Sequence, residues 1–344
     1  MANVWRCSSM RFRHRLRSLS FFHAVGVTIM KTWQRRILWG AGIATTVLVL
    51  SAGLLWWYVS LWVQQADPSF NASVASPAYH EQGPRVLFDQ AHFNAHGLRD
   101  TYAPFAALLR EDGYRLTESA RALSQETLNG QDVLVIVNAR GRDQSGHRGD
   151  PAFTPGEVEE VYEWVRAGGS LLFIADHSPF GAAARPMAER FAVEMSNMDT
   201  VDPVHHDSVS GKDGFLVFSR QNGLLGSHAI VEGRHPAEKI ERVLSFNGQS
   251  LRGPAGATVL LLLSETASDR AADGTGRPSS GRVQGLAMEL GQGRVVVLGE
   301  AAMVTAQIVR TPSEKPFPAG MNRTDADNKQ FTLNVMHWLS RVLN

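Results

Sequence analysis

The sequence predicts an α/β protein with a doubly wound, mostly parallel sheet and an antiparallel edge hairpin, preceded by one transmembrane helix. Three observations carry this expectation. Ile37–Val63 is an apolar run whose sole ionisable group is the Tyr58 phenol, long enough as a helix (about 40 Å) to cross a ~30 Å hydrocarbon core. Beyond it, short β-branched runs alternate with helical patterns, as in a parallel sheet covered on both faces. Near the C-terminus, Val283–Leu290 and Arg294–Gly299 flank Gly291-Gln292-Gly293, a hairpin pattern.

Residues 1–36 form a basic tail. They hold eight Lys or Arg and no acid, which leaves 26 basic against 33 acidic residues in 37–344, a formal charge of −7. A domain of that sign lacks the electrostatic footprint for phosphate backbones, so nucleic acid is not an expected partner. Met30, followed by KTWQRR, is a second candidate start, which would make residues 1–29 an upstream extension. Cys7 is the single cysteine and lies in the tail; disulfides, thiolate metal sites and a cysteine nucleophile are excluded from the remainder by count.

The run at 37–63 reads as a spanning helix rather than a cleaved signal, whose apolar stretch is only about 7–15 residues. Trp56, Trp57, Tyr58 and Trp62 gather at its C-terminal end, where amphipathic rings suit the headgroup region. Lys31, Arg35 and Arg36 flank the N-terminal end, whereas residues 64–80 carry no Lys or Arg. That imbalance holds the N-terminus in the cytoplasm and puts the main domain on the periplasmic or extracellular side of the cell (inner) membrane.

Residues 64–84 are rich in Ser, Ala and Pro and read as a linker, and 85–344 as the extracytoplasmic domain. Within it, Arg85–Asp89 is a short strand, and Gly97–Asp112 a helix stopped by Gly113. Tyr114–Glu118 is a strand, and Asp132–Asn138 reads as central in the sheet. Thr154, Pro155 and Glu157 open a helix that Gly168-Gly169 ends. Ser170–Asp176 is the next strand, followed by a helix around Ala182–Phe191. Strands are expected at Phe215–Phe218, Arg242–Phe246 and Thr258–Ser264, a polar loop at Asp269–Gly281, and a closing amphipathic helix from about Asp325.

Ligands of open α/β sheets bind beyond the carboxyl ends of the strands. Four strands end there suggestively: Asp89 with His92 and Asn94, Asn138 with Arg140, Asp176-His177, and Glu300. Brought together they form one crevice, with Asp89, His92, Asp176, His177 and Glu300 as candidate catalytic groups and Asn94, Asn138 and Arg140 as candidate ligand contacts. Carboxylate and neutral imidazole are ligands that a divalent metal takes; His205-His206-Asp207 and His228 add further donors, although the spacing matches no metal motif. The competing expectation is that Asp89 and Asp176 cap the helices that follow, with His205–Asp207 a solvated loop. No serine sits in a G-x-S-x-G elbow, and no glycine-rich turn joins a strand to a helix as dinucleotide binding requires.

The segments VLFDQAHFN, DVLVIVNARG, FTPGEVEEVYEWVRAGGSLLFIADHSPFG, GQGRVVVLGEAAM and DNKQFTLNVMHWL resemble a domain-of-unknown-function group (number 4350). That group is related to the class I glutamine-amidotransferase-like superfamily, which also includes trehalose-utilisation-like and gliding-motility-like proteins. The resemblance spans about residues 85–342 and implies a flavodoxin-like fold, often in a membrane-linked context. Amidotransferases carry a cysteine at a strand-to-helix elbow, and this domain has none, so glutaminase chemistry is not implied.

Two functions remain open from sequence: a tethered module that binds a small polar ligand, a carbohydrate or an envelope partner, and an extracytoplasmic hydrolase using the carboxylate and histidine groups, with or without a divalent metal. The membrane assignment is tested by fractionation. The full-length chain is expected to stay with membranes after an alkaline wash, and a C-terminal reporter to be active outside the cytoplasm; a soluble intact chain would overturn it.

Overall fold

The computed structural model describes residues 31–60, 63–80, 82–141, 151–312 and 314–344; the first thirty residues of the basic tail lie outside these. The chain divides into two compact units, one ending at Trp57 and one beginning at Tyr58. In the first, helix α1 runs Thr32–Ser60. Its stretch Trp39–Trp57, of mean hydropathy 1.6, is long and apolar enough to cross a membrane. The Thr45 and Thr46 hydroxyls donate to the carbonyls of Ala41 and Gly42 one turn back, so they need no water.

The apolar run does not end as one element. Val63 opens a strand, β1 (Val63–Ala66), which pairs antiparallel with Gln307–Arg310. The expected linker is therefore laid along the second unit. Phe70 and Val74 pack on Leu108 and Leu333, Asp67 accepts from Asn322, and Lys329 donates to the carbonyls of Asn71 and Ser73. Polar, proline-rich composition predicted slack; long-range pairing removes it.

After β1 the second unit continues with β2 (Arg85–Asp89), α2 (Ala103–Glu111), β3 (Arg115–Ser119), β4 (Val133–Val137), α3 (Pro155–Arg166), β5 (Ser170–Ile174) and α4 (Phe180–Arg190). The N-terminus of α3 is fixed by a capping box, in which Thr154 and Glu157 satisfy each other's backbone amides. α2 begins later than Gly97, because Asp100 accepts from the Gly97 amide and makes residues 97–102 a turn. All five residues of β4 and of β5 are buried, as continuous apolar strands between two helical layers must be.

The second half adds β6 (Lys212–Ser219), β7 (Val283–Leu290), β8 (Gly293–Leu298), β9 (Ala306–Thr311), β10 (Glu314–Gly320) and α5 (Asn328–Leu339). The parallel part of the main sheet has the order β3-β2-β4-β5-β8, the 2-1-3-4-5 arrangement of flavodoxin-like sheets. One face is packed by Tyr102, Phe105, Phe331 and Trp338, the other by Val161, Val165, Met187 and Phe191. The hairpin is not an edge device. β8 is central, buried at all six positions, and β7 leads on to the antiparallel strands Thr258–Leu262, Leu251–Arg252 and Glu194–Met195. Gly293 allows this close approach: a Cβ there would stand 2.0 Å from the Val165 carbonyl oxygen.

The expected polar loop at 269–281 also contains structure, since Ser268–Arg270 pairs with Gly276–Pro278 and with Asp199–Val201. Its buried anchor, Asp269, carries no apolar signal; it accepts from Thr200 and Ser250. β1, β9 and β10 form a separate three-stranded sheet.

Phe173 is fully buried in β5, the strand that leads to Asp176. Phe173→Ala is expected to cost about 3–5 kcal/mol, read as a lowered urea midpoint of the detergent-solubilised chain; an unchanged midpoint would contradict this packing.

Candidate functional site

β2 is followed by a tight loop that its own side chains hold together. The Asp89 carboxylate accepts from the Ala91 amide at 3.1 Å and from His92 Nδ1 at 2.9 and 2.8 Å. His92 Nε2 donates to Glu157 Oε1 at 3.0 Å, and the ring packs 4.5 Å from Phe153. Asn94 Nδ2 ties the loop to β4 by donating to Asp89 Oδ2 and the Val137 carbonyl, both at 3.1 Å. His92 is fully buried with both ring nitrogens engaged. Burial pulls its pKa down, but bonds and charge from Asp89 and Glu157 outweigh burial and raise it above the ordinary value. Burial raises the Glu157 pKa, and the Thr154 and His92 bonds more than offset this, leaving it lowered. Asp89, His92 and Asn94 therefore form a structural clasp, not part of an open crevice.

Of the other expected groups, Asn138, Asp176, His177 and Glu300 lie at the same strand ends, whereas Arg140 does not join the cavity lining. Asn138 leaves β4 at φ +45°, a left-handed position that asparagine tolerates better than most residues. Its amide donates to Asp176 Oδ2 at 2.8 Å, and its Oδ1 accepts from the Asp176 amide at 2.9 Å. Asp176 Oδ1 accepts from the Ala301 amide at 3.2 Å. Gln249 fixes the same turn, donating to the carbonyls of Ala175 and Asp176. Glu300 turns its carboxyl onto the amides of Ala302 and Met303 at 2.5 and 2.8 Å. Neither expected cap forms: α2 and α4 begin at Tyr102 and Pro179 without a side-chain capping bond. Arg140 is exposed, its guanidinium 5.6 Å from the Phe180 ring centroid.

Asp176, His177 and Glu300 line a cavity of about 440 Å³ beyond the carboxyl ends of β5 and β8. Its far wall comes from β6 and the β1-β9-β10 sheet, with Phe215, Phe246 and Phe317 as apolar surface and Gln64, Gln307, Lys212 and Arg310 as polar groups. Burial lifts the Asp176 pKa to about 6 against the lowering effect of His177 and Asn138. Burial, then the Asp176 charge, raises Glu300 well above its usual range despite three backbone amides. The pair therefore holds a proton near neutrality.

His96 lies on the same cavity and was missing from the sequence-derived set, where only its place seven residues beyond Asp89 marked it. Thr101 spends its hydroxyl proton on Asp100 Oδ1, so its oxygen accepts from His96 Nδ1 at 2.7 Å. That fixes the tautomer and leaves Nε2 as an acceptor. Burial depresses His96 to about 4, so the ring is neutral at pH 7. His177 is about one-third exposed; its Nδ1 donates to the Ser178 carbonyl at 3.0 Å and stands 3.5 Å from Asp199.

Among the described residues no three His, Cys, Asp or Glu are grouped to hold a metal ion. His206 Nδ1 donates to the Asp202 carbonyl, Asp207 is buried against Arg323, and His228 caps the short helix Ala229–Glu232. The expected loop donors are thus separated by their own partners.

The clasp makes stability depend on pH with a definite sign. The His92 contribution is complete below about pH 6.5 and is lost as pH rises through its raised folded value; the Glu157 contribution is complete above about pH 4.5 and is lost as pH falls through its lowered one. His92→Gln is expected to cost about 3–5 kcal/mol by stranding two carboxylates and to remove the alkaline loss in a series of melting curves. An undiminished alkaline slope would refute the assignment.

No protein-family profile matches the chain, and no curated protein matches it. Several solved structures are similar to it. The mmIFT52 N-terminal domain is 15% identical, covers 74% of this chain and 97% of its own, and superposes with a TM-score of 0.53, a likeness of fold. A cytoplasmic protein from Salmonella typhimurium is 15% identical over 74% of this chain and 98% of its own, with a TM-score of 0.44. A ThuA-like protein from Bacteroides uniformis is 9% identical over 79% and 95%, with a TM-score of 0.38.

Proposed function

We propose that this chain is a membrane-anchored binding protein, whose α/β domain lies outside the cytoplasm and takes a small polar, carbohydrate-like ligand in the cavity at Asp176 and Glu300. The observation that carries the reading is the cavity itself. Its volume, about 440 Å³, falls within the ~300–1,000 Å³ of small-molecule sites, and it lies where open α/β sheets place their ligands. A protonated carboxyl, the His96 acceptor and the Gln307 amide offer donors and acceptors for hydroxyl groups, and the phenyl rings offer an apolar face. The anchor is α1, and the basic residues preceding it favour a cytoplasmic N-terminus. Motif resemblance and strand order support kinship with the domain-of-unknown-function 4350 group.

One observation favours hydrolysis as a second reading. A carboxyl pair that retains a proton and an imidazole that stays neutral line one cavity, the pairing that a general acid and a general base require.

Binding is tested by thermal shift of the detergent-solubilised chain against monosaccharides, sugar acids and sugar phosphates. A true ligand at about 100 times its Kd adds roughly 2.7 kcal/mol, and Asp176→Asn is expected to abolish the shift. If no compound raises the melting temperature, the binding reading fails. Hydrolysis is tested with ester, glycoside and phosphate substrates; an authentic activity is expected to fall by about 10²–10⁴-fold in Glu300→Gln, and absence of any turnover would remove the second reading.

A further inference from the structure

We infer that the ligand of this cavity is anionic: a small hydroxylated molecule bearing a carboxylate or phosphate, docked with its charge on Arg310 and Lys212 and its hydroxyl groups toward Asp176, Glu300, His96 and Gln307. This rests on the binding reading and deepens it.

The charges around the cavity are unevenly placed. Its ionisable lining consists of Asp176, Glu300, His96, His177, Lys212 and Arg310. The Arg310 side chain in β9 is exposed and makes no hydrogen bond or ion pair among the described residues. Lys212 is held in place, its ammonium 5.1 Å from the Phe215 ring centroid and 4.6 Å from that of Phe317, with Glu314 Oε2 at 2.6 Å. An ammonium has three protons to donate, and one carboxylate contact leaves others for a ligand. Arginine offers the planar fork that carboxylates and phosphates fit.

The opposite side carries one negative charge near neutrality rather than two. Two desolvated carboxyl groups that raise each other's pKa cannot both stay ionised near neutrality, and His96 is uncharged there. Two acids beside the lining have partners there, Glu314 on Lys212 and Asp199 3.5 Å from His177. Gln307 is 1% exposed, lines the cavity, and has no partner on its Oε1, a costly state for a buried acceptor. The Phe215 ring centroid stands 5.1 Å from that of Phe246 and 5.7 Å from that of Phe317, an apolar surface for the C–H face of a sugar ring. A neutral ligand would use the floor and the rings and leave Arg310 idle.

The test titrates the full-length protein in detergent with glucose, glucuronate and glucose 6-phosphate, alone and in Arg310→Gln. At least one anionic probe is expected to bind about tenfold or more tightly than glucose, equivalent to ~1.4 kcal/mol, and to weaken as ionic strength rises. Arg310→Gln is expected to bring the ratio toward one. A preference for glucuronate identifies a carboxylate, and one for glucose 6-phosphate a phosphate. Equal or tighter binding of glucose, or a ratio unchanged in Arg310→Gln, overturns this inference and leaves the binding reading standing; failure of all three probes to bind counts against both.

Discussion

β5 and β8 lie parallel and in register from Ser170 against Arg294 to Ile174 against Leu298. Each leaves the sheet at the same level, and each presents an acid two residues later, Asp176 in one case and Glu300 in the other. This pairing places two carboxyl groups at the same edge of a buried sheet, Glu300 buried and Asp176 half-buried. Their proton-holding character follows, because desolvation penalises each charge and proximity penalises the second. The helical layers on both faces keep those strands dry, so the chemistry of the site depends on the packing beneath it.

Around this pair the molecule sorts its polar groups into two kinds. Asp89, His92, Asn94 and Glu157 satisfy one another and close the loop after β2, leaving nothing for a ligand. Asn138 and Gln249 belong to the positioning side of the cavity, since their amides hold the Asp176 turn rather than offering themselves. Asp176, Glu300, His96, Gln307 and Arg310 are the groups that remain available there. Buried polar groups that are fully paired give rigidity, whereas those with unused capacity at a cavity give recognition.

The wall opposite the carboxyl pair is built late in the chain and closed by its beginning. β9 and β10 form a hairpin beside the main sheet, and β1 joins β9 through residues Val63–Ala66. The last residue of the apolar run, Val63, and the first of the linker-like segment, Gln64, thus line the cavity. Two residues separate the end of α1 from that strand, so the apolar helix and the cavity wall are near neighbours in sequence.

The sequence by itself determined the alternation of strands and helices, the strand ends that carry Asp176 and Glu300, the capping box at Thr154 and the apolar run before the domain, because each is a local pattern of spacing and side-chain type. It misjudged Asp89 and His92, because whether an imidazole faces a cavity or a buried glutamate depends on Glu157, 65 residues away. His96, Gln307, Lys212 and Arg310 were hidden for the same reason: no local pattern distinguishes a polar residue on a cavity wall from one in solvent. Only the tertiary structure decided that the hairpin strand β8 would sit beside β5 and that β1 would close the wall, since both rest on backbone pairing between distant segments, which composition does not encode.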